Sequence, residues 1–191
     1  MTSLTLTLDP VMRLSREQFY ELCKVNQDLR LERSSTGDLI LMPPTGWESG
    51  RQNSQLNLQV GLWARQDGTG IVFDSSTGFS LPNGADRSPD VAWVATARIQ
   101  AIAPDPGQFL PLAPDFLIEL RSATDKLTTL ERKMAEYRDC GVRLGWLIDP
   151  QEKRVEIYRL GRPTEYLAQP EQLSGEDVLP GFILTLAEIW G

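Results

Sequence analysis

Three acidic residues in this chain stand at the ends of apolar runs, where a carboxylate either does chemistry or caps an element. They are Glu48, opening "ESGRQNSQLNLQVGLWARQ", Asp90, opening "DVAWV", and Glu119, closing "DFLIEL". Strand ends of a central sheet converge in space, so acids placed there can meet around one ion. A hard cation such as Mg²⁺ takes oxygen ligands and keeps several waters, so one to three carboxylates are a sufficient protein contribution. Such a site activates a water and neutralises charge on a phosphoryl group. Each acid also has a plainer account. Glu48 suits the positive end of a helix dipole, and Asp90 follows Pro89 as a turn residue does. Glu119, costly on a central strand unless paired or metal-bound, could form an ion pair with Arg121 or Arg143.

Periodicity and turn chemistry outline the elements that hold these residues. Ser15 to Gln18 has the Ser-x-x-Gln pattern of a capping box and predicts a short amphipathic helix over "LSREQFYELCKV". "LRLERS" and "DLILMPP", separated by "STG", predict a hairpin that ends at Pro43-Pro44. Leu56, Val60 and Trp63 are spaced four and three apart, which predicts a helix with one buried face. "GIVFDSS", "GFSLP" and "DVAWVA" read as strands, "PNGADRSP" as a turn, and "TARIQAIA" as one or two helical turns. "DFLIEL" is nearly all apolar and is expected at the centre of a sheet. "DKLTTLERKMAEYRDCG" predicts a helix with Asp125 as N-cap, Leu127, Leu130, Met134 and Tyr137 as its apolar stripe, and Gly141 as its stop. "RLGWLIDP" and "RVEIYRL" are two strands joined by "DPQEK", and the tail reads as an edge strand and a short closing helix. The order predicts an α/β fold: a mixed, twisted β-sheet flanked by α-helices. At 191 residues we expect a single domain over 1–191, with residues 1–12 as a flexible or edge segment.

Composition removes several chemistries. The chain has no histidine, which excludes Ser-His-Asp and Cys-His catalysis, HExxH zinc hydrolysis and histidine-held transition metals. There is no GxxxxGK phosphate loop. The net charge of −7 argues against a broad basic face that coats nucleic acid, while leaving room for a local groove in which metal ions and a few cations neutralise phosphates. No apolar run approaches the roughly 20 residues that span a bilayer, and the N-terminus lacks the basic start and long apolar stretch of a signal peptide. We therefore expect a cytoplasmic protein without a membrane partner, in which Cys23 and Cys140 stay reduced as small hydrophobes.

The ordered series "SPDVAWV", "PDFLIELRSATD", "KMAEY" and "GVRLGWLIDP" resembles the Uma-two family, a branch of the PD-(D/E)XK nuclease superfamily. The likeness runs from about Met12 through the C-terminal helix and includes "TGWESGRQNSQLNLQVGLW" and "FDSSTGFSLPNG". It implies a restriction-endonuclease-like core. It also implies that Asp90 is the first metal-binding aspartate, Glu119 the second acid and Glu48 an additional glutamate of the first long helix. The lysine usual two places after the second acid is absent, since Arg121 stands there. In some branches of the superfamily that cation lies on the following helix, where Lys133 is the candidate. From a helix packed on the Glu119 strand its long ammonium arm could orient the attacking water or offset transition-state charge. Arg121 shares side parity with Glu119, and its planar guanidinium suits phosphate.

The expected function is a Mg²⁺- or Mn²⁺-dependent DNA endonuclease hydrolysing phosphodiester bonds, with Asp90 and Glu119, helped by Glu48, holding metal. A homodimer is expected, because cutting both strands symmetrically favours a two-fold assembly. The alternative, motivated by the acidic balance and by Arg121, is a degenerate nuclease fold acting as a dimeric binding module. A third reading, a carboxylate-pair glycosidase, also needs no histidine.

Overall fold

The structure is a computed structural model and describes residues 3–190. The elements in chain order are β1 (Leu4–Leu6), α1 (Arg16–Val25), β2 (Arg30–Arg33), β3 (Leu39–Met42), α2 (Trp47–Asp67), β4 (Gly70–Asp74), β5 (Phe79–Ser80) and β6 (Asp86–Arg87). They continue with β7 (Val91–Ala95), α3 (Thr96–Ile102), β8 (Phe116–Leu120), α4 (Leu127–Asp139), β9 (Leu144–Asp149), β10 (Arg154–Arg159), β11 (Glu165–Ala168), β12 (Gln172–Ser174), β13 (Ile183–Thr185) and α5 (Ala187–Trp190). The expected mixed α/β fold is present.

The principal sheet has six strands in the order β11-β10-β9-β8-β7-β4. It is mixed: β8 and β9 run parallel, joined by the α4 crossover, and their outer neighbours pair antiparallel. Every residue of β8 is buried, Glu119 included, as its nearly all apolar run predicts for a strand covered on both faces. The period-two alternation divides its side chains between two cores. Phe116 and Ile118 join Trp146, Leu56 and Val60 on the side of α2, whereas Leu117 joins Leu147, Met134 and Tyr137 on the side of α4. Glu119 shares the parity of Leu117 and therefore points to the α4 side.

A second, five-stranded sheet in the order β1-β3-β2-β6-β5 contains the predicted hairpin, with Arg30 opposite Met42 and Arg33 opposite Leu39. The single sheet expected from the sequence is thus divided, because partner choice among short strands is decided by distant residues. β6 lies inside the stretch expected to be only a turn. It is held to β2 by the buried Arg33–Asp86 pair at 2.7 Å. The N-terminal segment supplies β1 as an edge strand on β3, while Met1 and Thr2 lie outside the described residues.

Local signals were read well at several termini. Ser15 and Gln18 form the reciprocal capping box of α1. Leu56 and Val60 are fully buried, and Gly141 ends α4 with φ of 99°. Asp125, however, is not the N-cap of α4. Lys126 holds that position without a side-chain bond, and the Asp125 carboxylate instead accepts hydrogen bonds from the N–H and hydroxyl of Ser122. In the tail, β11 is the expected edge strand and α5 the closing helix, but the small β12–β13 sheet was not foreseen. No helix among the described residues is long and apolar enough to cross a membrane.

Candidate functional site

The chain crosses from the second sheet to the principal one through Ser88–Asp90, between β6 and β7, and a cleft of about 610 Å³ lies there. β7 and β8 pair antiparallel, with Val91 opposite Ile118 and Ala92 opposite Leu117. Continuing that register by one residue sets Asp90 opposite Glu119. The Asp90 carboxylate closes this arrangement: Oδ2 accepts the Leu120 N–H at 2.8 Å, and Oδ1 accepts from Asn53 of α2 at 3.2 Å. Asn57, one turn further on, donates to the Asp90 carbonyl at 3.1 Å.

From the other side, α4 presents Lys133 and Tyr137 to Glu119. The Lys133 Nζ is 2.8 Å from Glu119 Oε1 and 2.9 Å from Glu32 Oε1, and the Tyr137 hydroxyl donates to Glu119 Oε1 at 2.9 Å. Glu32 comes from β2, so the ammonium joins the two sheets. Glu32 also accepts from Arg87 at 3.1 Å and from the Ser88 N–H at 2.9 Å, and Arg87 in turn binds Glu136 of α4 at 2.7 Å.

The charges in this group are unevenly matched. Burial pushes the Glu119 carboxyl up to about 7; Lys133 opposes that, while Asp90 and Glu32 add to it as like charges. Burial also raises Asp90, against the pull of the Leu120 N–H and Lys133. Glu32 goes the other way: burial acts against its charge, but Lys133 and Arg87 outweigh it and hold the carboxyl below its ordinary value. The difference is one of partners, since Glu32 has two cations and a peptide N–H where Glu119 has one cation and faces another acid. Lys133 stays charged, because Glu119 and Glu32 raise its pKa against the effect of burial. Glu119 lines the cleft, and its Oε2 makes no hydrogen bond among the described residues. An acid pair with excess negative charge and a free oxygen suits a hard divalent cation, which would relieve the mutual repulsion.

A family model described as "Uma2: Putative restriction endonuclease" matches residues 16–187. The chain belongs to this family. No curated protein matches it. Among solved structures it is similar to a putative nuclease belonging to DUF820 from Anabaena variabilis ATCC 29413, with a TM-score of 0.78, 19% identity, and coverage of 93% of this chain and 97% of that one. At that identity the likeness speaks for the fold.

In this member of the Uma2 family the structure brings Asp90, Glu119 and Lys133 together, and gives two other sequence candidates, Arg121 and Glu48, different partners. The Glu119 ion pair is with Lys133, not with Arg121 or Arg143. Arg143 reaches Asp177 at 3.2 Å, and Arg121 reaches the buried Asp149 at 2.7 Å while its Nε donates to the Asp125 carbonyl. Strand parity put Arg121 beside Glu119, but β8 ends at Leu120 and the guanidinium turns instead toward Asp149 at the end of β9. Glu48 lines the same cleft, yet its carboxylate is held by Arg51 one turn along α2 at 2.7 Å. No group of three or more His, Cys, Asp or Glu residues arranged to hold a metal occurs among the described residues. The residues that the sequence reading missed are Glu32 and the hydroxyl of Tyr137. No local signal marked Glu32, since alternation along "LRLERS" puts it with Arg30 on the side opposite Leu29 and Leu31, yet the structure buries it; Tyr137 read as packing because its stripe position was satisfied by its ring alone.

Proposed function

We propose that the protein is a Mg²⁺- or Mn²⁺-dependent DNA endonuclease that hydrolyses phosphodiester bonds at this cleft. The observation that carries the reading is the Lys133 ammonium on Glu119, with Asp90 in register across the strand pair: two acids and one cation at the floor of an open cleft. Asp90 and Glu119 would hold the ion, with water and substrate phosphate completing its shell, because two carboxylates are a sufficient protein share for Mg²⁺. When bound, the ion lowers the pKa of a water and neutralises phosphoryl charge. Glu119 would offer the ion its Oε2, while Oε1 is fixed by Lys133 and Tyr137. The Leu120 N–H and Asn53 fix Asp90. Lys133 sets a permanent positive charge beside the reacting phosphate, where it offsets charge that grows in the transition state. Glu48 at the rim acts, in this reading, through water or substrate, and Arg121 supports the end of β8 without touching the phosphate.

We read residues 1–191 as one domain and the assembly as a homodimer, the commonest closed assembly of soluble chains. The degenerate binding-module alternative drew on Arg121 in the lysine position; the Lys133–Glu119 pair favours the catalytic reading. Incubation of plasmid and oligonucleotide DNA with purified protein and either ion tests it. Cleavage should require the ion and vanish in Asp90→Asn and Glu119→Gln. Absence of cleavage, or cleavage that survives both substitutions, would refute it.

A further inference from the structure

We propose that the strand acted on at this cleft enters unpaired, with one base stacked on the indole of Trp47; the inference rests on the nuclease reading above for its choice of DNA. Trp47 is the first residue of α2, borders the cleft beside Pro44 and Glu48, and is 81% exposed. The chain has five tryptophans, and packing explains the other four. Trp63 lies against Trp93 and Phe182, Trp146 against Phe116 and Phe182, and Trp190 donates its N–H to the Pro170 carbonyl. A large ring left in water forfeits roughly 25 cal/mol for each Å² it could have buried. At the mouth of a cleft with carboxylates at its floor, a nucleobase is the flat partner that would cover it.

The charges around the cleft favour a single strand over a duplex. Lys133 is engaged by Glu119 and Glu32, and Arg87 by Glu32 and Glu136. Among the described residues lining the cleft, Arg30 and Arg132 make no salt bridge, and the Arg30 guanidinium donates to the Ser75 hydroxyl. Two such cations on a chain of net charge −7 are few for a duplex, which carries about one negative charge per 1.7 Å of axis. Stacking supplies affinity that needs no added charge and tolerates any base. Depth points the same way. Glu119 is 4% exposed at the floor of a cleft of about 610 Å³, so the phosphate must be brought down to it. An unpaired strand bends at each nucleotide, whereas a duplex is stiff over about 150 base pairs.

The experiment measures binding apart from cleavage. A fluorescein-labelled single strand and the same sequence as a hairpin duplex are titrated with full-length Glu119→Gln protein in Mg²⁺, and with the unsubstituted protein in EDTA. The single strand should bind about ten-fold tighter or more. Trp47→Ala should weaken it by roughly 5- to 150-fold, the range that one base–aromatic stack spans, with most of the loss recovered by Trp47→Phe. Duplex binding should change by less than about two-fold. Equal affinity for duplex, or a single-strand affinity indifferent to Trp47→Ala, overturns the proposal. So does sedimentation showing that Trp47→Ala separates a dimer without changing affinity, since the ring would then belong to a contact between copies. The two readings fail separately: Trp47-dependent strand binding without cleavage of any DNA removes the nuclease and keeps this site, whereas duplex cut equally well by Trp47→Ala protein does the reverse.

Discussion

Replacing Lys133 by Met keeps most of the stem's volume and removes the charge that joins the two sheets. The ammonium lies 2.8 Å from Glu119 and 2.9 Å from Glu32, and the side chain is 11% exposed. Without it Glu119 keeps the Tyr137 hydroxyl and faces Asp90 and Glu32 as like charges, whereas Glu32 still has Arg87 and the Ser88 N–H. Removing one partner of a buried ion pair costs about 3–5 kcal/mol, while an exposed pair contributes about 0–1 kcal/mol, so the two cases are well separated. Urea unfolding in EDTA reads the difference. With a slope of roughly 2–3 kcal/mol per molar urea for a domain of this size, the midpoint should fall by about 1–2.5 M. Arg132→Met, one position earlier and exposed, should shift stability by less than about 0.5 kcal/mol. Added Mn²⁺ should restore more stability to the variant than to the parent, because the ion takes over part of the neutralisation that Lys133 performs. Cleavage should drop about 100- to 1000-fold, the usual loss for one group that stabilises transition-state charge. A midpoint shift below about 0.3 M would show that Lys133 is effectively solvated and would refute the reasoning.

Arg121→Met should cost about 1–3 kcal/mol, since the buried Asp149 loses its cation, yet leave Mn²⁺ affinity unchanged by calorimetry; weakened ion binding would return Arg121 to the site. Tyr137→Phe should cost about 1.5–3 kcal/mol in EDTA, the value of a hydrogen bond to a charged group, and an unchanged melt would show that the hydroxyl is replaceable by water. Glu32→Gln should destabilise at neutral pH but converge with the parent in acid. The folded-state pKa of Glu32 lies below its usual 4.5, so its ion pairs contribute in full above that value and are lost as pH falls through the folded value. A stability difference that stays constant from pH 7 to pH 3 would contradict this.

The parts of the fold that were readable from the chain are those decided by near neighbours. The Ser15–Gln18 capping box, the α2 stripe of Leu56 and Val60, and the Gly141 stop each depend on residues within about one or two turns. The burial of β8 was readable because Phe116, Leu117, Ile118 and Leu120 leave neither face of the strand polar enough to be solvated. Asp125 shows the limit of such reading: the same short acid can cap a helix or close a turn on Ser122, and the choice depends on where the preceding strand delivers the chain.

By itself, then, the sequence determined the element types, the central strand and its acid, the absence of imidazole chemistry, and the family to which its ordered motifs point. Tertiary structure alone decided that the strands divide between two sheets, that Glu32 arrives from the second to hold Lys133, and that Arg121 turns to Asp149. Periodicity reports which face of an element is buried, because that follows from geometry along one backbone. Which buried charges share a face depends on strand register and helix docking, where residues as far apart as Glu32 and Lys133 are brought within 2.9 Å.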